Sequence, residues 1–534
     1  MVSTQCDAVV VGAGPNGLVA ANALVDAGWE VVVLEAQDEV GGAVRSAEVA
    51  APGFVTDLFS AFYPLAAASP VIRDLHLERH GLAWCTAPDV LAHALPDGRA
   101  AVLHGSADDT AAGLEACAAG DGDAWLRMVR GWDRIRDPFL DALFTPFPPV
   151  RPATRLLRRW GVAGTLDFTR LALLSVRRLG EEQFGSEEAR ILLSGNAMHS
   201  DVSPDSAGSA LFGWLLAMLG QDVGFPVPEG GAGMLATALR RRAESLGAQV
   251  RCGVAVTSVE VTGGRAVGVR LADGTTVRAR HGILADVPAP MLYGQLVAAH
   301  HLPPRLLDDV RRFEWDDATL KVNWALDAPI PWTAPGARSA GTVHLGVDHD
   351  GLVDVAADLA VGRMPRSPFI LLGQMTTSDP TRSPAGTESV WAYTHLPRQL
   401  AHDDDLVAEQ AERLEGCVEE VAPGFLDLRR GRHVQAPGAM EASDANLSRG
   451  ALNAGTAALH QQLVLRPTRG LGRPETPVRG LYLAGASAHP GGGVHGACGW
   501  NAAVSALRHR APLGVVRKAL VGSAWSRVMR DQAD

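Results

Sequence analysis

Lysine is nearly absent from this chain of 534 residues, in which Lys321 and Lys518 are the only two. The 48 basic residues, almost all arginine, are outnumbered by 59 acidic ones, and the formal net charge is −11. Proteins that bind nucleic acid need a basic surface that attracts phosphates. This balance therefore argues against a nucleic-acid partner, and it makes the chemistry of each lysine a question in its own right.

The few cysteines lack the spacings that structural metal sites and redox pairs require. No C-x-x-C pair and no metal-ligand pattern with histidines occurs among the six, which are Cys6, Cys85, Cys117, Cys252, Cys417 and Cys498. We therefore expect no metal site and no structural disulfide, as is usual for proteins of a reducing compartment.

Long hydrophobic runs are missing as well. No stretch approaches the roughly 18 apolar residues that are needed to span a bilayer, and the polar start Met1–Asp7 does not resemble a secretory signal. We expect a cytoplasmic protein. The segment 507–530 interleaves arginines with apolar residues, so it either docks on the body of the protein or rests on an anionic membrane surface.

The chain opens with a pattern typical of a strand, a glycine-rich turn, a helix and a second strand. Ala8–Val11 and Glu30–Leu34 are apolar runs rich in valine, and Asn16 to Asp26 has the apolar spacing of a helix. The turn is Gly12-Ala13-Gly14-Pro15-Asn16-Gly17, which fits G-x-G-x-x-G. Its glycines allow a tight turn, the approach of backbone to a pyrophosphate, and close packing of helix on strand.

An acid follows at the end of the second predicted strand. The carboxylate of Glu35 can accept hydrogen bonds from ribose hydroxyls, and it would repel the extra phosphate of NADP. In the next segment, Gly41 and Gly42 permit backbone contact with a phosphate, and Arg45 can neutralise it. Together these residues predict a dinucleotide site; an ordinary tight turn with a solvated arginine is the alternative.

The rest of the chain divides by its periodicity. Residues 105–225 are mostly helical in pattern, the segment from Gly247 to Asp286 predicts a β-meander, and residues 290–465 mix short strands with a helix. A second glycine cluster, Gly230-Gly231-Ala232-Gly233, follows Pro226 and Pro228 rather than a strand. We therefore predict no second dinucleotide site there.

Near the C-terminus a short predicted strand, Gly480–Ala484, precedes a glycine-rich run and then a helix from about Gly499. The run is Gly485-Ala486-Ser487-Ala488-His489-Pro490-Gly491-Gly492-Gly493-Val494-His495-Gly496. Glycines here remove side chains, so a flat ligand could lie close to the backbone. The N-terminus of the following helix would face an electron-rich part of that ligand.

Residues 8–45 resemble the N-terminal signature of the FAD-dependent amine oxidase and phytoene desaturase superfamily. The H-P-G-G-G-V run at 489–494 is similar to the signature of its phytoene desaturase, carotenoid isomerase and retinol saturase branch. The resemblance implies an α/β fold, in which a glutathione-reductase-type, Rossmann-like FAD-binding domain carries an inserted mixed α+β substrate domain. The FAD-binding domain would comprise residues 1–105, 225–290 and 470–512, the substrate domain residues 106–224 and 291–469, and a C-terminal basic helix or tail residues 513–534.

The cofactor that this resemblance implies is non-covalently bound FAD. The residues expected around it are Gly12, Gly14, Pro15, Asn16, Gly17, Glu35, Ala36, Gly41, Gly42, Arg45, Val254, Gly485, Ala486, Gly492, Gly493 and Val494. By the resemblance, the backbone near Val254 would touch the adenine, and Gly485 would lie near the ribityl or phosphate part. No separate NAD(P) domain is visible, so oxygen, a quinone or another acceptor would take the electrons. A covalent link through Cys498 is disfavoured, because buried cysteine usually only packs.

The resemblance implies dehydrogenation of carbon–carbon bonds, or a related isomerisation or saturation, in an elongated apolar substrate. Two alternatives are an amine-oxidase-like oxidase of a small molecule that uses oxygen, and a non-catalytic scaffold that carries FAD. The candidate catalytic residues are Lys321, His489 and His199. Lys321 resembles the amine-oxidase lysine that holds a water against flavin N5, and a lysine that reaches solvent from a strand edge is the alternative. For the two histidines the alternative is simple packing or solvation.

Overall fold

The computed structural model describes residues 5–470, 472–511 and 514–529. In chain order the strands are β1 (Gln5–Val11), β2 (Val31–Leu34), β3 (Ser46–Ala47), β4 (Thr56–Asp57), β5 (Trp84–Cys85), β6 (Asp89–Ala94), β7 (Ala100–His104), β8 (Val227–Pro228), β9 (Gln249–Arg251), β10 (Val256–Thr262), β11 (Arg265–Leu271), β12 (Thr276–Ala285), β13 (Ala318–Leu326), β14 (Ala340–Leu345), β15 (Ile370–Gln374), β16 (Glu388–Leu396), β17 (Arg429–Gln435) and β18 (Leu481–Leu483).

The helices accompany these strands, with short 3₁₀ and π turns between them. They are α1 (Pro15–Asp26), α2 (Pro64–Ala68), α3 (Pro70–Arg73), α4 (Ala107–Cys117), α5 (Asp121–Phe144), α6 (Val150–Leu173), α7 (Val176–Gln183), α8 (Glu187–Ala197), α9 (Ser209–Val223), α10 (Gly233–Ser245), α11 (Ala289–Met291), α12 (Pro304–Arg311), α13 (Gly351–Ala360), α14 (Met375–Ser378), α15 (Asp404–Val421), α16 (Pro437–Ser443), α17 (Ala497–Arg510) and α18 (Gly514–Val528).

The first sheet brings the two ends of the chain together. Its order is β10-β11-β12-β1-β2-β9, and β18 also pairs with β12. The strands β9, β2, β1, β12 and β18 run parallel. All four residues of β2 are buried, as expected for a parallel strand that is covered on both faces. This parallel core confirms the Rossmann-like, α/β fold that the sequence predicts.

Two helices from opposite ends of the chain pack closely over this sheet. A Cβ atom added to Gly499 of α17 would collide with the backbone oxygen of Asn16 in α1. Because only glycine permits this approach, the glycine-rich turn near the N-terminus and the glycine run near the C-terminus are held side by side.

The second sheet has the order β17-β13-β16-β15-β14-β6-β7. All nine residues of β13 are buried, because this strand lies between β17 and β16. On one face the side chains of β13 pack against α15 and neighbouring residues; Trp324 and Phe425, for example, meet edge to face with ring centroids 5.2 Å apart. On the other face, Lys321 packs against the segment that holds Asp57 and Phe59.

Two expectations from the sequence need correction. The segment 1–105, expected within the FAD-binding domain, supplies β6 and β7 to the second sheet, where β6 pairs with β14. The sequence of a short apolar run does not indicate which other strand it will pair with. The expectation that no strand precedes Gly230 was also wrong, since Val227–Pro228 forms the short strand β8 against β5. Proline is compatible with a strand this short at an edge.

Two further stretches bear on the predicted layout. The segment predicted to be mostly helical contains α4 to α9, which confirms that prediction. At the C-terminus, Trp525 and Val528 of α18 pack on the apolar cluster beneath the first sheet. In the part of the chain that is described, no helix is both long and apolar enough to cross a membrane.

Candidate functional site

The turn between β1 and α1 depends on glycine at several positions. Gly12 has a φ of 91°, and a Cβ atom there would lie 2.8 Å from the backbone oxygen of Asp286. A Cβ atom on Gly17 would collide with the backbone oxygen of Gly12. Pro15 opens the helix, and Gly14 at its N-cap position has no side chain of its own to cap it. The first turn of α1 therefore presents its backbone and its positive dipole end to an anion.

Residues expected near the ribose and adenine meet at the end of β2. The carboxylate of Glu35 accepts hydrogen bonds from the N–H groups of Ala13 at 2.7 Å and Gln37 at 2.9 Å. The N–H group of Val254 donates to the backbone oxygen of Glu35 at 2.7 Å. Ala36 is exposed beside them. The structure thus places Glu35, Ala36 and Val254 next to the glycine turn.

A second glycine turn lies opposite the first. Gly41 and Gly42 have φ values of 123° and 53°, and a Cβ atom on Gly42 would lie 3.2 Å from the Cα atom of Gly14. This leaves a cradle of bare backbone that fits a diphosphate. The buried Arg45 donates to the backbone oxygen of Gly42 at 3.0 Å and to Ser443 Oγ at 2.8 Å. Arg45 therefore also holds the second turn in position.

Asp286, at the end of β12, is a site residue that sequence reasoning missed. Its Oδ2 atom accepts a hydrogen bond from the N–H group of Gly17 at 2.7 Å, so it caps α1 from another strand. Burial, together with nearby Asp444 and Glu35, raises the pKa of Asp286 to about 7. The available signal was an acid directly after an apolar run, but its partner lies 269 residues away in the sequence.

We expect Asp286→Asn to change how stability depends on pH. Because folding raises the pKa of Asp286 from its ordinary 3.8 to about 7, the wild type loses stability as the pH rises through that window. Asparagine keeps an oxygen acceptor for Gly17 and cannot ionise. The variant's advantage in thermal unfolding temperature should therefore grow from pH 5 to about pH 7 and then level off. The exposed turn variant Asp273→Asn is the control, and an equally constant difference for both variants would contradict the role of Asp286.

The C-terminal glycine run lies against the loops that follow β12 and α16. A Cβ atom on Gly485 would lie 2.7 Å from the backbone oxygen of Val287, and the backbone oxygen of Ala486 accepts a hydrogen bond from buried Arg466 at 2.8 Å. A Cβ atom on Gly492 would lie 2.7 Å from Asn453 Oδ1. These contacts fix the path of the run.

The run ends in unusual backbone before α17. Gly493 has a φ of 114°, and Val494 has a φ of 52°, a left-handed conformation that is uncommon for valine. The ring of His495 holds this shape, because Nδ1 accepts from the N–H group of Ala497 at 3.0 Å and Nε2 donates to the backbone oxygen of Gly491 at 3.1 Å. With both ring nitrogens engaged, His495 positions the loop.

Cys498 follows directly at the start of α17. Burial raises the pKa of its thiol to about 12, so the sulfur stays protonated and is a poor nucleophile. This agrees with FAD that is bound without a covalent link.

A cavity of about 330 Å³ opens over the glycine run. Its walls are mainly aromatic and aliphatic, and Trp391 and Tyr393 of β16 stack there with ring centroids 5.9 Å apart. Further apolar lining comes from Phe59, Phe62, Leu215, Leu216, Phe225 and Leu371. The volume lies near the lower end of the roughly 300–1,000 Å³ that is usual for small-molecule sites.

Lys321 does not reach solvent, so the alternative in which this lysine extends to solvent from a strand edge is wrong. It is 1% exposed in the middle of the second sheet, and its ammonium group donates to the backbone oxygens of Asp57 and of Phe59. The Nζ atom also lies 4.9 Å from the ring centroid of Trp391, directly behind the cavity wall. Burial lowers the pKa of Lys321 to about 7.

The structure separates the two candidate histidines. His199 lines the cavity, and its Nε2 atom lies 2.9 Å from Nε2 of His344. His489 is buried but is not among the residues that line the cavity. Burial lowers the pKa of both to about 4, so both are neutral near pH 7. Sequence reasoning missed His395, a buried neutral histidine on the cavity wall that stands in an apolar strand without any motif.

Comparison with known proteins identifies the family. The chain belongs to the flavin containing amine oxidoreductase family, whose sequence model matches residues 16–506. It is similar to a solved oxidoreductase from Methanosarcina mazei, with a TM-score of 0.64 and 15% identity over 94% of this chain and 100% of that one. That likeness shows the fold.

The chain is also similar, along more than 90% of its length, to proteins that carry oxidoreductase names. It is 29% identical to pyridine nucleotide-disulfide oxidoreductase domain-containing protein 2 of Rattus norvegicus, over 93% of each chain. It is 26% identical to one of the limonene dehydrogenase chains of Castellaniella defragrans, over 93% of this chain and 94% of that one. It is 26% identical to a zeta-carotene-forming phytoene desaturase of Myxococcus xanthus, over 91% and 90%. The protein is an FAD-dependent oxidoreductase of the phytoene-desaturase-like branch of the flavin amine oxidase superfamily.

Proposed function

We propose that this enzyme dehydrogenates a carbon–carbon bond in a small apolar molecule that lies in the cavity over the glycine run. The observation that carries the proposal is the character of the cavity wall, which is mainly aromatic and aliphatic, with Arg466 at the end beside the glycine run. Among the described residues that line it, none is an aspartate or a glutamate. A protonated amine would therefore find no carboxylate partner there.

The residues of the cavity have defined tasks in such a reaction. FAD, when bound, accepts a hydride. The apolar wall orients the substrate and excludes water. His199 and His395 are neutral groups on that wall, and we propose that one of them accepts the proton that leaves the neighbouring carbon. The related isomerisation or saturation would use the same cavity.

The lining of the cavity and the names of the relatives indicate the class of substrate. The resemblance implies an elongated molecule, and the mainly apolar lining suits elongated and compact apolar molecules alike. Among the relatives, one is named as part of a limonene dehydrogenase and one as a phytoene desaturase. Both names support dehydrogenation. We propose a quinone or oxygen as the acceptor of the electrons.

An enzyme that acts on an apolar substrate would benefit from contact with a membrane. On α18, Val516 is 58% exposed and Leu520 is 67% exposed, and Arg508 and Arg510 are exposed at the end of α17. We propose that these groups touch an anionic membrane surface. The side chains of Arg517 and Lys518, and residue 530, lie outside the described part of this segment.

Anaerobic reduction of the bound flavin tests the proposed reaction. We expect cyclic monoterpenes or short polyenes to bleach the flavin of the purified enzyme, and primary amines to leave it oxidised. Leu216→Arg should abolish bleaching while FAD content is kept, because it replaces an apolar part of the cavity wall with a long charged side chain. The matched control is Leu246→Arg, at a position that is 49% exposed. Bleaching by amines, with hydrogen peroxide released in air, would contradict the proposal.

The second candidate function, an oxidase that uses oxygen, is favoured by the position of Lys321. Lys321 carries its charge below about pH 7, and in that form it would assist electron transfer to oxygen from behind the Trp391 ring. In that case Lys321→Met should slow reoxidation of reduced flavin by oxygen about tenfold or more, a barrier increase of about 1.4 kcal/mol, and Lys321→Arg should not. If the Met variant reoxidises at the wild-type rate, this candidate fails.

A further inference from the structure

Arg466 is a buried arginine without a carboxylate partner. It is 2% exposed, and its N–H groups donate only to backbone oxygens. These belong to Thr456 at 3.0 Å, Asn453 at 3.0 Å, and Ala486 at 2.8 and 3.2 Å. Within the described residues it forms no ion pair, and Asp316 and Asp201 act on it only from a distance.

An unpaired buried cation is unfavourable, and most proteins neutralise it. Arg382 in the same chain is also buried, and it pairs with the carboxylates of Asp57 and Asp379. Burial without such a partner lowers the pKa of Arg466. The positive charge is therefore available to an anion that enters the site.

The position of Arg466 in the fold indicates which anion its charge would reach. Arg466 lines the cavity, and a Cβ atom on Gly491 would lie 3.3 Å from its Cζ and Nε atoms. No side chain stands between the guanidinium group and the backbone of the glycine run. The N-terminus of α17 follows that run, so two sources of positive potential converge where the flavin ring is expected.

We propose that Arg466 stabilises reduced FAD by its charge. Bound FAD would supply an acceptor for a hydride, which is two electrons and one proton, from a substrate carbon. The proton of the neighbouring carbon would pass to a histidine of the cavity wall as the double bond forms. Uptake of a hydride would add one negative charge to the flavin. A fixed cation beside the ring favours this state over oxidised FAD. The inference rests on the FAD site of the proposed function and not on the identity of the substrate.

Arg466 also ties together residues 453–456, Ala486 and Gly491, so the test must separate charge from positioning. We would measure the reduction potential of bound FAD in the holoenzyme by dye equilibration, and the affinity of the flavin for sulfite. In Arg466→Gln the ratio of reduced to oxidised FAD at a fixed potential should fall at least tenfold, which is 29.6 mV for a two-electron couple, and sulfite should bind more weakly. Arg466→Lys should stay near the wild type in both.

The control is Arg363→Gln, which removes a surface arginine that pairs with Asp358. Its potential and sulfite affinity should equal those of the wild type. The proposal is overturned if Arg466→Gln retains the wild-type potential, or if the Gln and Lys variants lose FAD alike, since charge would then not be what matters. Failure to find an apolar substrate would leave these measurements unaffected, so it would count against the proposed function alone.

Discussion

Replacing Gly17 with alanine should give a protein that folds but carries no flavin. The added methyl group would collide with the backbone oxygen of Gly12, and it would lie 3.1 Å from the carboxylate of Asp286 that caps the helix. The turn would have to open, and the backbone that faces the diphosphate would move. We expect the purified variant to be colourless and to take up no added FAD at concentrations that saturate the wild type.

The matched control is Gly131→Ala in the helix α5, where a Cβ atom would meet open space. Alanine has a higher helix propensity than glycine, by about 1 kcal/mol. The control should therefore keep its flavin and gain a little stability. Yellow Gly17→Ala protein with a normal flavin content would show that the turn does not hold FAD as we describe.

Replacing Arg382 with methionine should lower the free energy of unfolding more than any other substitution that we predict. Arg382 is fully buried, and it donates to both carboxylate oxygens of Asp57 at 3.1 and 3.0 Å and to Asp379 at 2.9 Å. Without it, two buried carboxylates lose their counter-ion, which costs about 3–5 kcal/mol. We expect the free energy of unfolding by urea to fall by this amount.

The substitution should also disturb the wall of the cavity. The backbone oxygen of Asp57 accepts a hydrogen bond from Lys321, and Lys321 packs behind Trp391, which lines the cavity. The control is Arg363→Met, which breaks an exposed pair with Asp358 and should cost less than about 1 kcal/mol. Similar losses in the two variants would mean that the buried network contributes no more than a surface pair.

The nucleotide end of the site was predictable from the sequence because its signals are local. Gly12 and Gly14 lie in the turn between β1 and α1, Gly17 lies in the first turn of α1, and Glu35 follows at the end of the next strand. The C-terminal run carries its own pattern of glycines. In both places the spacing of a few neighbouring residues sets the backbone path, and that path is the feature a nucleotide needs.

Other parts of the site carry no such local signal. Asp286 reaches Gly17 only because its strand β12 pairs with β1. Arg466 binds carbonyl groups of loops that meet only in the folded chain. Lys321 is buried only because β16 and β17 pair on either side of its strand. The same holds for β6, whose partner β14 lies far along the chain, and for β7, which joins the same sheet through β6.

The sequence by itself determined the βαβ unit, the two glycine segments, the flavin cofactor and the family. Only the tertiary structure decided where the charges lie, which histidines face the cavity, and how apolar that cavity is. The physical reason is that backbone conformation follows from residues close in sequence, whereas burial, pairing and electrostatic environment depend on which distant segments pack together.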